Sequence, residues 1–151
     1  MQRKIEKMLN QARYHRNISE NDGEAIKICD QILEIDKDNR DAMLIKAGAL
    51  GGLYRNEEAL RYINAIREKW PNHWEAYYLL GLQLFNKDEK KAMQALKKSL
   101  QCKETFDNLV VMAQLSYFVG EHAYQEYLDK AEKLDPVRFK RFMKNSWTYE
   151  L

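Results

Sequence analysis

Residues able to do covalent or metal chemistry are few in this sequence, and they stand apart. His15, His73 and His122 are far from one another and have no cysteine or paired carboxylate at the spacing of a metal site. Ser19, Ser99, Ser116 and Ser146 sit in no nucleophile elbow, and no His–Asp partner is suggested for any of them. Cys29 and Cys102 lack a CxxC or CxxH neighbour, so buried free thiols are expected rather than zinc ligands or a disulfide framework. The glycine-rich run Ala47-Gly48-Ala49-Leu50-Gly51-Gly52 is not a phosphate loop, because no strand precedes it and no Gly-Lys-Ser/Thr follows. The expectation is therefore no catalytic residue, no metal and no cofactor, which leaves non-covalent contact as the chemistry to be positioned.

The elements that do the positioning are helices. Two prolines and six glycines in 151 residues, with 32% charged side chains, suit long helices with solvated faces better than a sheet. Lys and Arg number 25 against 23 Asp and Glu, a net charge of +2, which points to no polyanionic partner. Arg3, Lys4, Lys7, Arg13 and Arg16 open the chain and Arg138, Lys140, Arg141 and Lys144 close it, while the stretch from Glu20 to Asp41 is acidic. These are read as solvated faces of terminal helices rather than a nucleic-acid or membrane contact. No apolar run reaches the ~18 residues of a membrane span, and Met1 to Leu9 is charged rather than a signal peptide, so a soluble, cytoplasmic protein is expected.

A repeat organises the chain. Ala25, Cys29, Ile32 and Lys37 recur as Ala59, Ile63, Ile66 and Pro71, then as Ala92, Leu96, Ser99 and Glu104, then as Tyr124, Leu128, Ala131 and Pro136. Internal spacing is constant, while the steps between copies are 34, 33 and 32 residues, so length changes fall in turns. A second series precedes each copy: Leu9, Ala12, Arg13 and Arg16 align with Met43, Lys46, Ala47 and Leu50, with Tyr77, Leu80, Gly81 and Leu84, and with Leu109, Met112, Ala113 and Ser116. Spacings of three and four residues put each series on one stripe of an α-helix. Each unit is therefore a helix pair, with Ala47, Gly81 and Ala113 small where two axes must approach closely. Breaks are expected at Asp22-Gly23, Asp36 to Asn39, Trp70 to Asn72, Asn86 to Asp88, Val119-Gly120 and Asp135-Pro136.

A ninth helix is expected over about 136–148, with Asp135 as its cap and Pro136 in its first turn. Val137, Phe139, Phe142, Met143 and Trp147 can share its apolar face, with Arg138, Lys140, Arg141 and Lys144 mostly on the other. Such a helix would cover the apolar side that the last pair of a stack leaves open, a reading preferred over a membrane-surface or calmodulin-target helix.

The units resemble tetratricopeptide repeats, whose pattern runs W-x2-L-G-x2-Y, then A-x3-F, then P. Trp74-Glu75-Ala76-Tyr77-Tyr78-Leu79-Leu80-Gly81 reads almost as that pattern does, and Ala59 to Pro71 and Ala131 to Pro136 carry its second half. Arg13 and Arg16 depart from it in the first unit, and Lys37 and Glu104 stand for the usual proline. The resemblance implies an all-α, right-handed α-solenoid: one domain of four helix pairs, at about 6–39, 40–73, 74–105 and 106–136, followed by the capping helix. It also implies a non-catalytic protein that binds a peptide or helix of another protein on the concave face lined by first helices. Some members grip an acidic C-terminal tail with a two-carboxylate clamp. The matching positions here are Asn10, Tyr14, Ile45, Glu75 and Leu79, which supply no cation, and Glu75 would repel a carboxylate.

On the same face the sequence places Asn10, Tyr14, Leu44, Ile45, Gly48, Tyr78, Leu82, Phe85, Val110, Gln114 and Tyr117, expected to form an apolar and aromatic peptide-binding surface. Leu79 and Val111 lie there too, shared with the packing between units. Each helical glycine costs about 0.5–1 kcal/mol relative to alanine, so something must offset Gly48, Gly51 and Gly52. Packing is expected for Gly48, while Gly51-Gly52 suits a trough for a ligand, close packing, or a helix ending at Leu50. With Glu75 and Asp107 at its edge, the face does not suit RNA, and no nucleic acid is expected. The function expected is an adaptor or chaperone-like module holding an apolar peptide or amphipathic helix. Homo-oligomerisation through the same face is the alternative, and a small secretion-type chaperone a third.

Overall fold

The structure is a computed structural model, and it describes residues 1–147, with the side chains of residues 146 and 147 excepted. Its helices are α1 (Gln2–Asn17), α2 (Asp22–Ile35), α3 (Arg40–Gly52), α4 (Asn56–Lys69), α5 (Trp74–Leu84), α6 (Glu89–Cys102), α7 (Phe106–Phe118), α8 (Tyr124–Leu134) and α9 (Pro136–Phe142), the last running into a π-helical turn, Met143–Trp147. Among the described residues there is no strand. Consecutive helices pack against each other, and α1 touches α3 and α3 touches α5, so these three first helices lie side by side. This is the all-α helical-repeat solenoid that the spacing predicts. No helix is long and apolar enough to cross a membrane.

Equivalent positions of the repeat meet the same surroundings. Ala25, Ala59 and Ala92 are fully buried, as are Cys29, Ile63 and Leu96 one turn later, and Ile32, Ile66, Ser99 and Ala131 one turn after that. Burying one aliphatic side chain of this size contributes about 1.5–3 kcal/mol, and each cluster joins residues of adjacent helices. The largest cluster gathers Leu96 of α6, Leu109, Met112 and Leu115 of α7, and Ala131 of α8.

Close approach is set by small residues, as the register implies. A Cβ placed on Gly81 of α5 would lie 2.7 Å from Cγ of Leu96 in α6, so only glycine admits this crossing. The Gly48, Gly51 and Gly52 positions all lie within α3, which does not stop at Leu50. A Cβ on Gly48 would meet the Arg16 guanidinium at 2.8 Å, one on Gly51 the Gln83 amide, and one on Gly52 the Asp22 carboxylate. The glycine run therefore makes room for side chains of α1, α2 and α5 laid across α3.

Caps fix the helix starts. Asn21, Asn39, Asp88, Thr105 and Asp135 each accept a hydrogen bond from a backbone N–H of the first turn that follows. One turn, at 53–55, falls where no break is expected, that at 103–105 lies at the boundary read at Glu104 between the third and fourth units, and α2 starts at Asp22, with Gly23 inside it. The second of these turns is closed by a buried polar node. Asn108 Nδ2 donates to Ser99 Oγ (3.0 Å) and to the Lys103 carbonyl (2.8 Å), its Oδ1 accepts from Thr105 N, and Ser99 Oγ donates to the Trp74 carbonyl (2.9 Å). One asparagine thus ties α5, α6 and α7 together.

The ninth helix does cover the end of the stack, but not with the whole face expected. Phe139 and Phe142 pack against the large cluster, Phe142 edge-on to Phe106 at 6.3 Å. Val137, in the first turn of the helix beside Pro136, is 71% exposed and joins no apolar cluster. Arg138 stays exposed, as expected, yet its guanidinium reaches back to lie 4.3 Å from the Phe106 ring centroid and 2.9 Å from Asp107. The side chain of Trp147 and residue 148, both expected in this helix, lie outside the described residues.

Candidate binding groove

The odd-numbered helices enclose a cavity of about 420 Å³. Arg13, Arg16 and Asn17 reach it from α1, Leu44 and Ile45 from α3, and Trp74, Glu75, Tyr78, Leu79 and Leu82 from α5. Asp107 of α7 and Arg138 of α9 close it. The volume is that of a site holding a few side chains rather than a whole folded partner.

Five residues placed on this face by the sequence, Leu44, Ile45, Tyr78, Leu79 and Leu82, come together at the cavity. Leu82 is 38% exposed and available to a partner, whereas Leu44 is buried and forms the floor. Gly48 is buried beneath Arg16. The rest lie away from the cavity: Val110 is inside the largest cluster and Phe85 packs against it, both serving the core between units. Asn10 is exposed and accepts from Arg13, Tyr14 is exposed and edge-on to His15, Gln114 is half-buried, and Tyr117 stacks edge-on against Tyr124 at 5.2 Å.

Charge is what the apolar pattern hides. Arg13 pairs with Asp41 (3.5 Å), Arg16 with Asp22 (3.1 Å) and Arg138 with Asp107 (2.9 Å). The signal available in the sequence was the departure of Arg13 and Arg16 from the small residues of the repeat; nothing local marked Arg138. Glu75 differs from the other carboxylates. Among the described residues, its only neighbour of opposite potential charge within 4 Å is His73, whose Nε2 lies 3.7 Å from Glu75 Oε2, is buried, and has no hydrogen-bond partner. Burial, helped by the nearby positive charge of Arg40, holds the His73 imidazolium below its usual range, so the ring is neutral at pH 7. Burial, helped by Asp41 and with a smaller push from Asp107, raises the Glu75 carboxyl. Beside it, Tyr78 is pushed up to about 12 by burial and then by Asp107 and Glu75, so its hydroxyl stays protonated and can donate. Its ring meets that of Trp74 at 5.8 Å.

Comparison with known proteins speaks to the architecture. No family model and no curated protein matches the chain. Among solved structures, TTC0263, a thermophilic TPR protein of Thermus thermophilus, superposes with a TM-score of 0.77 at 14% identity, covering 87% of this chain and 75% of its own. The chain has the tetratricopeptide-repeat fold. Two further TPR-like neighbours are a 41-to-end portion of MamA from Desulfovibrio magneticus RS-1 (TM-score 0.66, 20% identity, 87% of this chain and 76% of that one) and YrrB, described as a TPR protein with an unusual peptide-binding site (0.61, 20%, 83% and 66%). At these identities the likeness is one of fold. Among the described residues no three His, Cys, Asp or Glu side chains gather as a metal site.

Proposed function

We propose that this chain is a non-catalytic interaction module that holds a segment of another protein, a peptide or amphipathic helix, in the groove between α1, α3 and α5. The observation that carries the reading is the combination at one cavity of the exposed Leu82, the half-buried Ile45, Trp74 and Tyr78, and a free phenol donor. A helix partner would seat its apolar stripe on Leu82, Ile45 and Tyr78 and direct polar groups to the charged rim. The likeness in fold to YrrB supports the reading, as a TPR protein described as binding a peptide.

The test is site-specific photo-crosslinking in the cells that make the protein. A benzophenone side chain in place of Leu82 gives an adduct with another polypeptide, and one in place of the exposed Lys97 on α6 does not. Equal adduct yields at the two positions would remove the groove.

A second reading, assembly with another copy, has its own observation. The turns inside three of the pairs carry exposed apolar residues: Ile18 after α1, Leu53 and Tyr54 after α3, and Phe118 at the end of α7 with Val119 after it. Light scattering across protein concentration separates the readings. A monomer throughout removes assembly. A dimer that persists with Tyr78→Ala plus Leu82→Ala but dissociates with Tyr54→Ser plus Phe118→Ser places it on the turns.

A further inference from the structure

The charges lining the groove are unbalanced in a way that says which side chain a partner brings. Three guanidiniums, Arg13, Arg16 and Arg138, face the cavity, and each is held by a carboxylate of a neighbouring helix or turn, Asp41, Asp22 and Asp107. None is left to attract an acidic ligand. Glu75 is the carboxylate that remains over. His73 is its only neighbour within 4 Å among the described residues that could carry a positive charge, and burial keeps that imidazole neutral.

Resting on the reading of this cavity as a peptide groove, we propose that it selects segments presenting a lysine or arginine between apolar residues, and that Glu75 reads that cation. Chemistry on three sides of Glu75 supports this. The rings of Trp74 and Tyr78 stand one residue before it and three after it on α5, and an aromatic face attracts an ammonium or guanidinium. Leu44, Ile45, Leu79 and Leu82 offer the apolar wall along which the methylene stem of a lysine or arginine packs while its head reaches a carboxylate. Glu75 itself keeps 40% of its side chain exposed, so the pair forms without unfolding anything. Arg13 and Arg16 offset part of the repulsion that Asp41 and Asp107 exert on Glu75, and burial leaves its carboxyl raised, so an incoming cation supplies the close partner it lacks. An incoming anion meets that repulsion and finds every arginine engaged, the opposite of the preference an acid-binding clamp would show.

The experiment is selection from a phage-displayed library of random peptides on three forms of the full chain: native, Glu75→Gln, and Tyr78→Ala plus Leu82→Ala, each checked for native helicity by circular dichroism. The native protein enriches peptides with Lys or Arg flanked by Leu, Phe or Trp. A synthetic peptide of that kind binds Glu75→Gln about tenfold more weakly, the size expected for one charge-assisted hydrogen bond. Replacing its cation with norleucine costs the same on the native protein and nothing further on Glu75→Gln. Enrichment of Asp- and Glu-rich peptides, or indifference of the selected peptides to Glu75→Gln, overturns the cation preference while leaving the groove in place. No enrichment on the native protein, or the same enrichment on the Tyr78→Ala plus Leu82→Ala variant, overturns the groove itself.

Discussion

Adding one methyl group at Gly81 tests the packing between α5 and α6. The new Cβ would stand 2.7 Å from Cγ and 2.8 Å from Cδ2 of Leu96, a side chain with no exposed surface and cluster neighbours in α7. Two effects oppose each other. Alanine in place of a helical glycine stabilises by about 0.5–1 kcal/mol. Forcing a carbon into a filled core costs about 1–3 kcal/mol, because Leu96 must leave its rotamer or α6 must move. With two carbons of Leu96 under 3 Å the cost falls in the upper part of that range, so Gly81→Ala destabilises by about 1–2 kcal/mol net, which at this chain length lowers the thermal midpoint by about 2–4 °C per kcal/mol. Gly51→Ala is the matched control, since its Cβ meets only the terminal amide of Gln83, a half-buried side chain that can swing aside. That variant gains about 0.5–1 kcal/mol. Urea unfolding followed by helical ellipticity gives both numbers. A Gly81→Ala protein as stable as the native one would refute the close α5–α6 crossing.

Asn108→Ala removes three hydrogen bonds from a buried node and takes their Asn108 partner from the Thr105 N–H and the Lys103 carbonyl, for a loss of about 2–4 kcal/mol in the same urea assay; Ser99→Ala costs less, since it leaves two of the Asn108 bonds intact. Titration of the native protein with a disulfide reagent at pH 8 modifies the half-buried Cys102 promptly and Cys29 only at the rate of unfolding, because burial pushes the Cys29 thiol up to about 12; two fast equivalents would contradict this. Stability also falls in alkali. Cys29 and Tyr78 titrate near 9.0 and 10.0 when unfolded but near 12 in the fold, so their contribution is complete below pH 9 and is lost as pH rises toward 12, at about 1.4 kcal/mol per pH unit for each group. Cys29→Ala flattens that decline above pH 9, measured as urea midpoints across pH.

How much of this was legible in the sequence follows from where the causes lie. The stack was readable because its cause is local: Ala25, Ala59 and Ala92 share a helix period and a burial requirement, and any chain folding this way must place small residues there. Turns marked by proline or glycine were readable for the same reason. The turn at 53–55 was not, because Tyr54 takes a positive φ of 59° without being glycine, and at 103–105 the repeat register gave the place, at Glu104, but not the capping pair Thr105 and Asn108 that fixes it. In the groove, Leu44, Ile45, Tyr78 and Leu82 could be assigned to one face by period alone. Assigning Arg13, Arg16 and Arg138 needed the positions of partners in other elements, such as Asp107, 31 residues before Arg138. The exposure of Val137 and the burial of Val110 have the same origin, for both depend on how far neighbouring helices reach.

The central claim is that a partner lies along α1, α3 and α5. Paramagnetic relaxation in a two-dimensional amide spectrum, with a spin label on a groove-selected peptide, measures this directly. The account predicts broadening of the amides of Arg16, Ile45, Glu75, Tyr78 and Leu82, and unbroadened amides at Lys27, Arg61 and Lys97 on α2, α4 and α6. Broadening confined to the even-numbered helices, or to the turn residues Tyr54 and Phe118, would contradict it.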